Sequence, residues 1–202
     1  MSAADALTAA KKELRAAAAL RRRGAAAAAI EAGAWLRDRA LGALTLPLGA
    51  VVSGYWPLPD ELDPRPLLTA LHDRGHVIGL PVVVGRGLPL IFRRWRPGQA
   101  LVKGSFKVET PPESADVVTP AVVLAPLLAF DRAGYRLGYG GGFYDRTIAG
   151  FRSRGSLLAV GLAFAAQEVA AVPHGPSDEP LDWIVTEREA IGPLGRPAGG
   201  GD

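Results

Sequence analysis

The chain has 202 residues, enough for one domain with a sizeable core, and its 49% hydrophobic and 21% charged residues are the balance of an ordinary globular protein. Its 23 Lys and Arg against 20 Asp and Glu leave a net charge of only +3, too little for a nucleic-acid partner with many phosphates to neutralise. The absence of cysteine excludes disulfides, thiolate catalysis and cysteine metal sites, and with no basic-then-apolar export signal at the N-terminus the chain is expected in the reducing cytoplasm.

Residues 3–42 are Ala-rich with regularly spaced Leu, Arg and Glu, which predicts amphipathic helix, divided at Gly24 and ending near Gly42. Leu48–Trp56 is an apolar strand segment, 57–66 is turn-rich, and Pro66–Arg74 a short helix. His76–Val84 and Leu88–Trp95 are two further strands, separated by the Gly85–Gly87 turn. Residues 97–116 are punctuated by Pro and Gly and read as irregular. Val117–Leu124 is a strand interrupted by Pro120, followed by a turn at Asp131–Gly134. The whole apolar run from Val117 to Phe130 is too short to span a bilayer and contains Pro120 and Pro126, so no membrane association is expected. Phe143–Arg154 reads as helix, Leu157–Ala165 as a buried strand, Gln167–Ala171 as a helical turn and Trp183–Thr186 as a last short strand. The Gly/Pro-rich tail, 192–202, is expected to be disordered.

Helices alternating with short, continuously apolar strands predict an α/β fold. Its form is a three-layer α/β/α arrangement with a mainly parallel, Rossmann-like sheet covered by helices on both faces. No linker divides the chain, so residues 1–191 are read as a single domain, and a monomer is expected. In such folds ligands gather at the carboxyl ends of the strands. The segment Arg136-Leu137-Gly138-Tyr139-Gly140-Gly141-Gly142-Phe143-Tyr144-Asp145 lies at such a strand-to-helix junction. Its four glycines let successive backbone N–H groups turn inward as an anion nest at a helix N-terminus, which suits a phosphate. The spacing matches neither G-x-G-x-x-G nor a P-loop. A bare strand-to-helix connection accounts for the glycines equally well, and Asp145 reads either as a helix-dipole partner or as a Mg²⁺ ligand beside a phosphate.

Phe130-Asp131, Gly134 and RLGYGGGFYDR together resemble the signature of the 5-formyltetrahydrofolate cyclo-ligase family. The resemblance runs over about residues 10–190, through Lys11, Leu14 and Arg15, Tyr55 to Glu61, Leu80-Pro81, Phe92 to Gly98, and Ser177-Asp178 to Asp182, Ile184 and Thr186. It implies an enzyme that uses ATP and Mg²⁺ to convert 5-formyltetrahydrofolate to 5,10-methenyltetrahydrofolate, with ADP and phosphate released after phosphorylation of the formyl oxygen. By the same resemblance, Lys11, Arg15, Arg136, Leu137, Gly138, Tyr139, Gly140, Gly141, Gly142, Phe143 and Tyr144 hold ATP. Trp56, Glu61, Tyr139, Gly140, Gly141, Gly142 and Phe143 meet the folate, and Asp145 and Asp178 bind Mg²⁺. Asp182 is expected to be structural or to stand behind the metal ligands, and Glu109 is only an approximate match.

Tyr139 and Gly141 stand where many members of the family carry Arg and Lys, so the loop itself supplies no cation between Arg136 and Arg146. No acid–base residue is assigned, because His72, His76 and His174 form no triad or metal spacing and phosphoryl transfer asks mainly for positioning and charge neutralisation. Two other readings of the residues are an isomerase or CoA-type enzyme taking phosphate at the same nest, and a nucleotide- or RNA-binding module built on the Arg21–Arg23 run, which is more often a solvated helix face.

Overall fold

The structure, a computed structural model, describes residues 2–194. The N-terminal helix α1 (Ala3–Ala28) opens with a capping box: the Ser2 hydroxyl accepts from the Asp5 amide at 3.1 Å, and the Asp5 carboxylate accepts from the Ser2 amide at 3.0 Å. Helix α2 (Ala32–Ala43) follows. The break falls at residues 29–31 and not at Gly24, which sits inside α1 with open space around it; one exposed glycine in an Ala-rich helix costs too little to end it.

Next come β1 (Val51–Ser53), α3 (Arg65–Asp73), β2 (Val77–Val82) and β3 (Ile91–Trp95). The stretch expected to be irregular contains a small hairpin, β4 (Val102–Lys103) and β5 (Glu109–Thr110), joined through a 3₁₀ turn at Ser105–Lys107. Pro120 divides its apolar run completely. β6 (Val117–Val118) pairs with β3 at one edge of the sheet, whereas β7 (Val122–Pro126) runs through the centre. The hairpin of β8 (Ala129–Phe130) and β9 (Arg136–Leu137) precedes α4 (Phe143–Arg152) and β10 (Leu158–Leu162). A 3₁₀ turn at Ala165–Gln167 stands earlier than the expected helical turn. The chain ends with β11 (Trp183–Val185) and an unanticipated β12 (Ala190–Ile191). Of the tail expected to be disordered, Gly192–Leu194 are held, with the Leu194 amide donating to the Asp182 carbonyl at 2.8 Å; 195–202 lie outside the described residues.

The eight-stranded sheet has the order β12-β11-β10-β7-β1-β2-β3-β6. The five strands from β11 to β2 are mutually parallel, and β12, β3 and β6 add antiparallel edges. The apolar strands sort their residues alternately between two cores, as a pleat buried on both faces requires. Val122 and Leu124 of β7 and Val160 and Leu162 of β10 face α2 and α3, packing with Leu36, Leu67, Leu68 and Leu71. Val123 and Ala125 of β7 and Ala159 of β10 face the other way, with Ile148 of α4, Phe92 and Ile184. Helix α1 lies over the β8–β9 hairpin, through Ala18 against Leu128, Ala129, Leu137 and Val172.

Candidate active site

Strand β1 leads through α3, on one face, to β2 on its right-hand side in the sheet order, and β7 leads through α4, on the other face, to β10 on its left. The two crossovers therefore diverge between β1 and β7, and a crevice opens at their carboxyl ends. A cleft of about 910 Å³ occupies this position. Its walls are Tyr55 and Trp56 beyond β1, Pro81–Val83 at the end of β2, Pro126 of β7, the 136–146 segment, Gly104–Phe106 of the β4–β5 hairpin, and Lys11 and Arg15 from α1. Every residue expected to bind a ligand lines this one cleft: Lys11, Arg15, Trp56, Glu61, Arg136 to Asp145, and Asp178.

The β8–β9 hairpin delivers the glycine loop to α4. Gly140 (φ 98°) and Gly142 (φ 65°) occupy the left-handed region that glycine adopts without strain, and Gly142 caps α4 without a side-chain oxygen. The first-turn N–H groups of α4 thus have no side-chain partner at the cleft. Arg15 Nε donates to the Gly138 carbonyl at 2.9 Å, and its guanidinium carbon lies 3.3 Å from where a Cβ at Gly140 would stand. The missing side chain leaves Arg15 room to lie against the loop without shifting.

Lys11, one turn earlier on α1, pairs with both oxygens of Asp178 at 2.7 and 2.6 Å. Arg136 donates to Asp145 at 2.7 Å and to the Glu179 carbonyl at 2.6 Å, while the Glu179 amide donates to Asp145 at 3.2 Å. The fold therefore sets the 177–179 turn against the first turn of α4, so two carboxylates 33 positions apart in sequence meet at one wall. Arg152 fastens the same segment from below, through Glu179 at 2.8 Å and Asp182 at 3.0 Å. Asp182 also accepts from the Ala159 amide at 2.8 Å, a structural role as expected. Among the described residues no three His, Asp or Glu side chains gather to hold a metal; a pair of carboxylates is the donor set available.

Opposite the loop, Glu61 is buried. Its carboxylate accepts from the Leu58 amide at 2.8 Å and from the Tyr139 hydroxyl at 2.7 Å. Burial pushes the Glu61 carboxyl above its ordinary range, and the Leu58 amide, Tyr139 and the charge of Arg22 offset this only in part. Burial, then the nearby Glu61, drives the Tyr139 phenol up as well, so it stays a donor. Trp56 both walls the cleft and packs edge-on against Trp95 at 5.9 Å.

Sequence reasoning missed Arg22. Within Arg21-Arg22-Arg23 it reads as part of a solvated face, and Arg21 and Arg23 are indeed exposed. Arg22 is 3% exposed: it donates to the Tyr139 hydroxyl and to Asp60 at 2.8 Å and stands 3.6 Å from Glu61. The signal available was its position eleven residues, three helical turns, after Lys11 and seven after Arg15. The histidines stay away from the cleft: His76 bonds the Ala50 carbonyl at 3.3 Å and His174 stacks on Tyr135. Glu109 is exposed and does not line the cleft, where its neighbour Thr110 does.

The sequence model of the 5-formyltetrahydrofolate cyclo-ligase family matches residues 7–187. The 5-formyltetrahydrofolate cyclo-ligase of Escherichia coli K12 is 37% identical over 134 residues, covering 62% of this chain and 71% of that protein. That of Mycolicibacterium smegmatis is 34% identical over 151 residues, covering 71% and 76%. The NMR structure of Aquifex aeolicus 5,10-methenyltetrahydrofolate synthetase superposes with a TM-score of 0.71 at 27% identity, over 93% of this chain and 95% of that one. Matched over nearly its whole described length, with the glycine loop, Lys11, Arg15, Glu61 and Asp178 converging on one cleft, the chain belongs to the 5-formyltetrahydrofolate cyclo-ligase family.

Proposed function

We propose that this chain catalyses the ATP- and Mg²⁺-dependent closure of 5-formyltetrahydrofolate to 5,10-methenyltetrahydrofolate. The carrying observation is the cleft at the β1/β7 switch point. One wall is a glycine loop flanked by Arg15 and Lys11, and the other is a buried carboxylate, Glu61, beside Trp56. A polyphosphate suits the first wall, and a carboxylate can accept paired hydrogen bonds from the 2-amino-pyrimidinone edge of a pterin at the second.

An N-formyl group is a poor electrophile. In the proposed reaction its oxygen attacks the γ-phosphorus of ATP; the new O–P bond forms as the bond to the β-phosphate oxygen breaks, and ADP leaves. N10 then adds to the activated formyl carbon, its proton is lost to solvent, the ring closes and phosphate departs with its oxygen. The chain's own work is to hold the two substrates in line and to balance charge on the transferring phosphoryl group. Lys11 and Arg15 serve the phosphates from α1, the loop amides serve them from the other side, and Glu61 with Trp56 fixes the pterin. Mg²⁺ commonly takes one or two carboxylates and fills its shell with phosphate oxygens and water, which fits Asp145 and Asp178 on one wall. When bound, the ion supplies Lewis-acid neutralisation of the phosphates. Lys11 and Arg136 pair with these two carboxylates and orient them on that wall.

Purified protein given 5-formyltetrahydrofolate, ATP and Mg²⁺ should develop the near-ultraviolet band of the methenyl product, and a folded protein that yields no band contradicts the reading. Asp145→Asn should lower kcat by about a hundredfold or more while leaving the thermal transition in place; undiminished turnover would remove Asp145 from the metal site.

A further inference from the structure

Five cationic side chains line the cleft near the loop or above it: Lys11, Arg15, Arg86, Arg136 and Arg146. Two are already neutralised, Lys11 by Asp178 and Arg136 by Asp145. Arg15 and Arg146 form no ion pair among the described residues. Each rests instead on a carbonyl of the glycine loop, and from opposite ends of it. Arg15 holds the Gly138 carbonyl. Arg146, in the first turn of α4, folds back so that NH2 donates to the Gly141 carbonyl at 2.6 Å, with Nε at 3.5 Å from the Leu88 carbonyl. Its guanidinium also covers the Phe143 ring at 5.4 Å.

The backbone is shaped to allow this return. Gly142 has φ 65°, and a Cβ there would stand 2.5 Å from NH1 of Arg146. A guanidinium has five N–H donors, and among the described residues NH1 has no bonded partner, beside a loop that has no cation of its own from Leu137 to Asp145. An unpaired charge held against backbone carbonyls and an aromatic face, with donors to spare, is arranged for an incoming anion.

We propose that Arg146 is a phosphate-binding residue that closes a two-sided guanidinium clamp with Arg15 across the glycine loop, gripping the polyphosphate of the nucleotide. This rests on the reading that the loop takes ATP. It assigns to a residue on α4 the charge that Tyr139 and Gly141 do not supply.

The test measures equilibrium binding of ATP, ADP and adenosine to the intact protein, wild type against Arg146→Gln and Arg146→Lys, with thermal unfolding to verify folding. Arg146→Gln should weaken ATP and ADP by about ten- to a hundredfold, the size of one charge-assisted contact, and leave adenosine within about twofold. Arg146→Lys should recover part of that loss, since it keeps the charge and loses the fork. In turnover the KM for ATP should rise more than that for the folate. Unchanged ATP binding in Arg146→Gln overturns the proposal. Equal weakening of adenosine also overturns it, because it would mean that Arg146 only supports the loop's shape. If wild-type protein binds ATP no more tightly than adenosine, the loop does not take phosphate at all and the underlying reading falls first.

Discussion

Glu61 shows what a single buried group does to the molecule that carries it. Folding raises its carboxyl pKa above the ordinary value, because burial outweighs the help of the Leu58 amide, Tyr139 and Arg22. A carboxyl whose folded pKa is raised contributes stability that is fully present below its unfolded pKa and lost as pH rises through the folded value. Glu61→Gln cannot titrate. The stability of ligand-free wild type relative to this variant should therefore fall as pH is raised from about 4 to about 7, read from thermal midpoints across that range. A gap that widened toward neutral pH would mean that Arg22 and Tyr139 more than offset burial. The raised carboxyl also bears on function, since a charged acceptor for the pterin would be reached only above the ordinary carboxylate range.

At the scale of elements, the β8–β9 hairpin is the part whose geometry fixes the glycine loop. Its turn depends on Gly134, at φ 94°, where the amide donates to the Asp131 carbonyl and the carbonyl accepts from Leu181 at 2.8 Å. A Cβ at this position would lie 2.8 Å from the Leu181 carbonyl oxygen, backbone against backbone. Gly134→Ala should cost about 1–3 kcal/mol, and so lower Tm by roughly 2–4 °C for each kcal/mol, as measured by calorimetry; an unchanged Tm would show that the hairpin yields freely. The helices and parallel strands were legible in the sequence because α1 and α2 fall in an Ala-rich stretch and β7 and β10 are short, continuously apolar runs bounded by turn residues. The β4–β5 hairpin and β12 were not, because strands of two residues are too short to show an alternation of apolar and polar side chains, although their partners are near in sequence. Pro120 was legible as a break, but the separation of β6 and β7 to different parts of the sheet was not, since register is a property of the assembled sheet.

For the whole molecule, the site is completed from both ends of the chain. Lys11 reaches Asp178 across 167 positions, and no spacing rule could have joined them; only the resemblance to a family named both. Helix α1 fully buries only Ala18 and Arg22, with Leu14 and Ala19 part-buried beside them, so charged contacts at the cleft add to a modest apolar seat. Nucleotide bound there should tighten the helix against the body. At about a hundredfold its Kd, Mg-ATP should raise stability by about 2.7 kcal/mol, a Tm increase of roughly 5–10 °C. Amide exchange should slow more in α1 than in α2, which has its own apolar seat; equal slowing would place the nucleotide away from α1.

The Tyr139 hydroxyl ties these scales together. Its backbone belongs to the glycine loop, yet its hydroxyl donates to the carboxylate on the facing wall of the same cleft. A pterin bound to this carboxylate, as proposed above, would share it with the phenol or displace it, and displacement would be felt in the glycine loop. If the two substrates bind as proposed, this contact would couple them, and thermodynamic reciprocity would make the effect of each on the other's affinity equal.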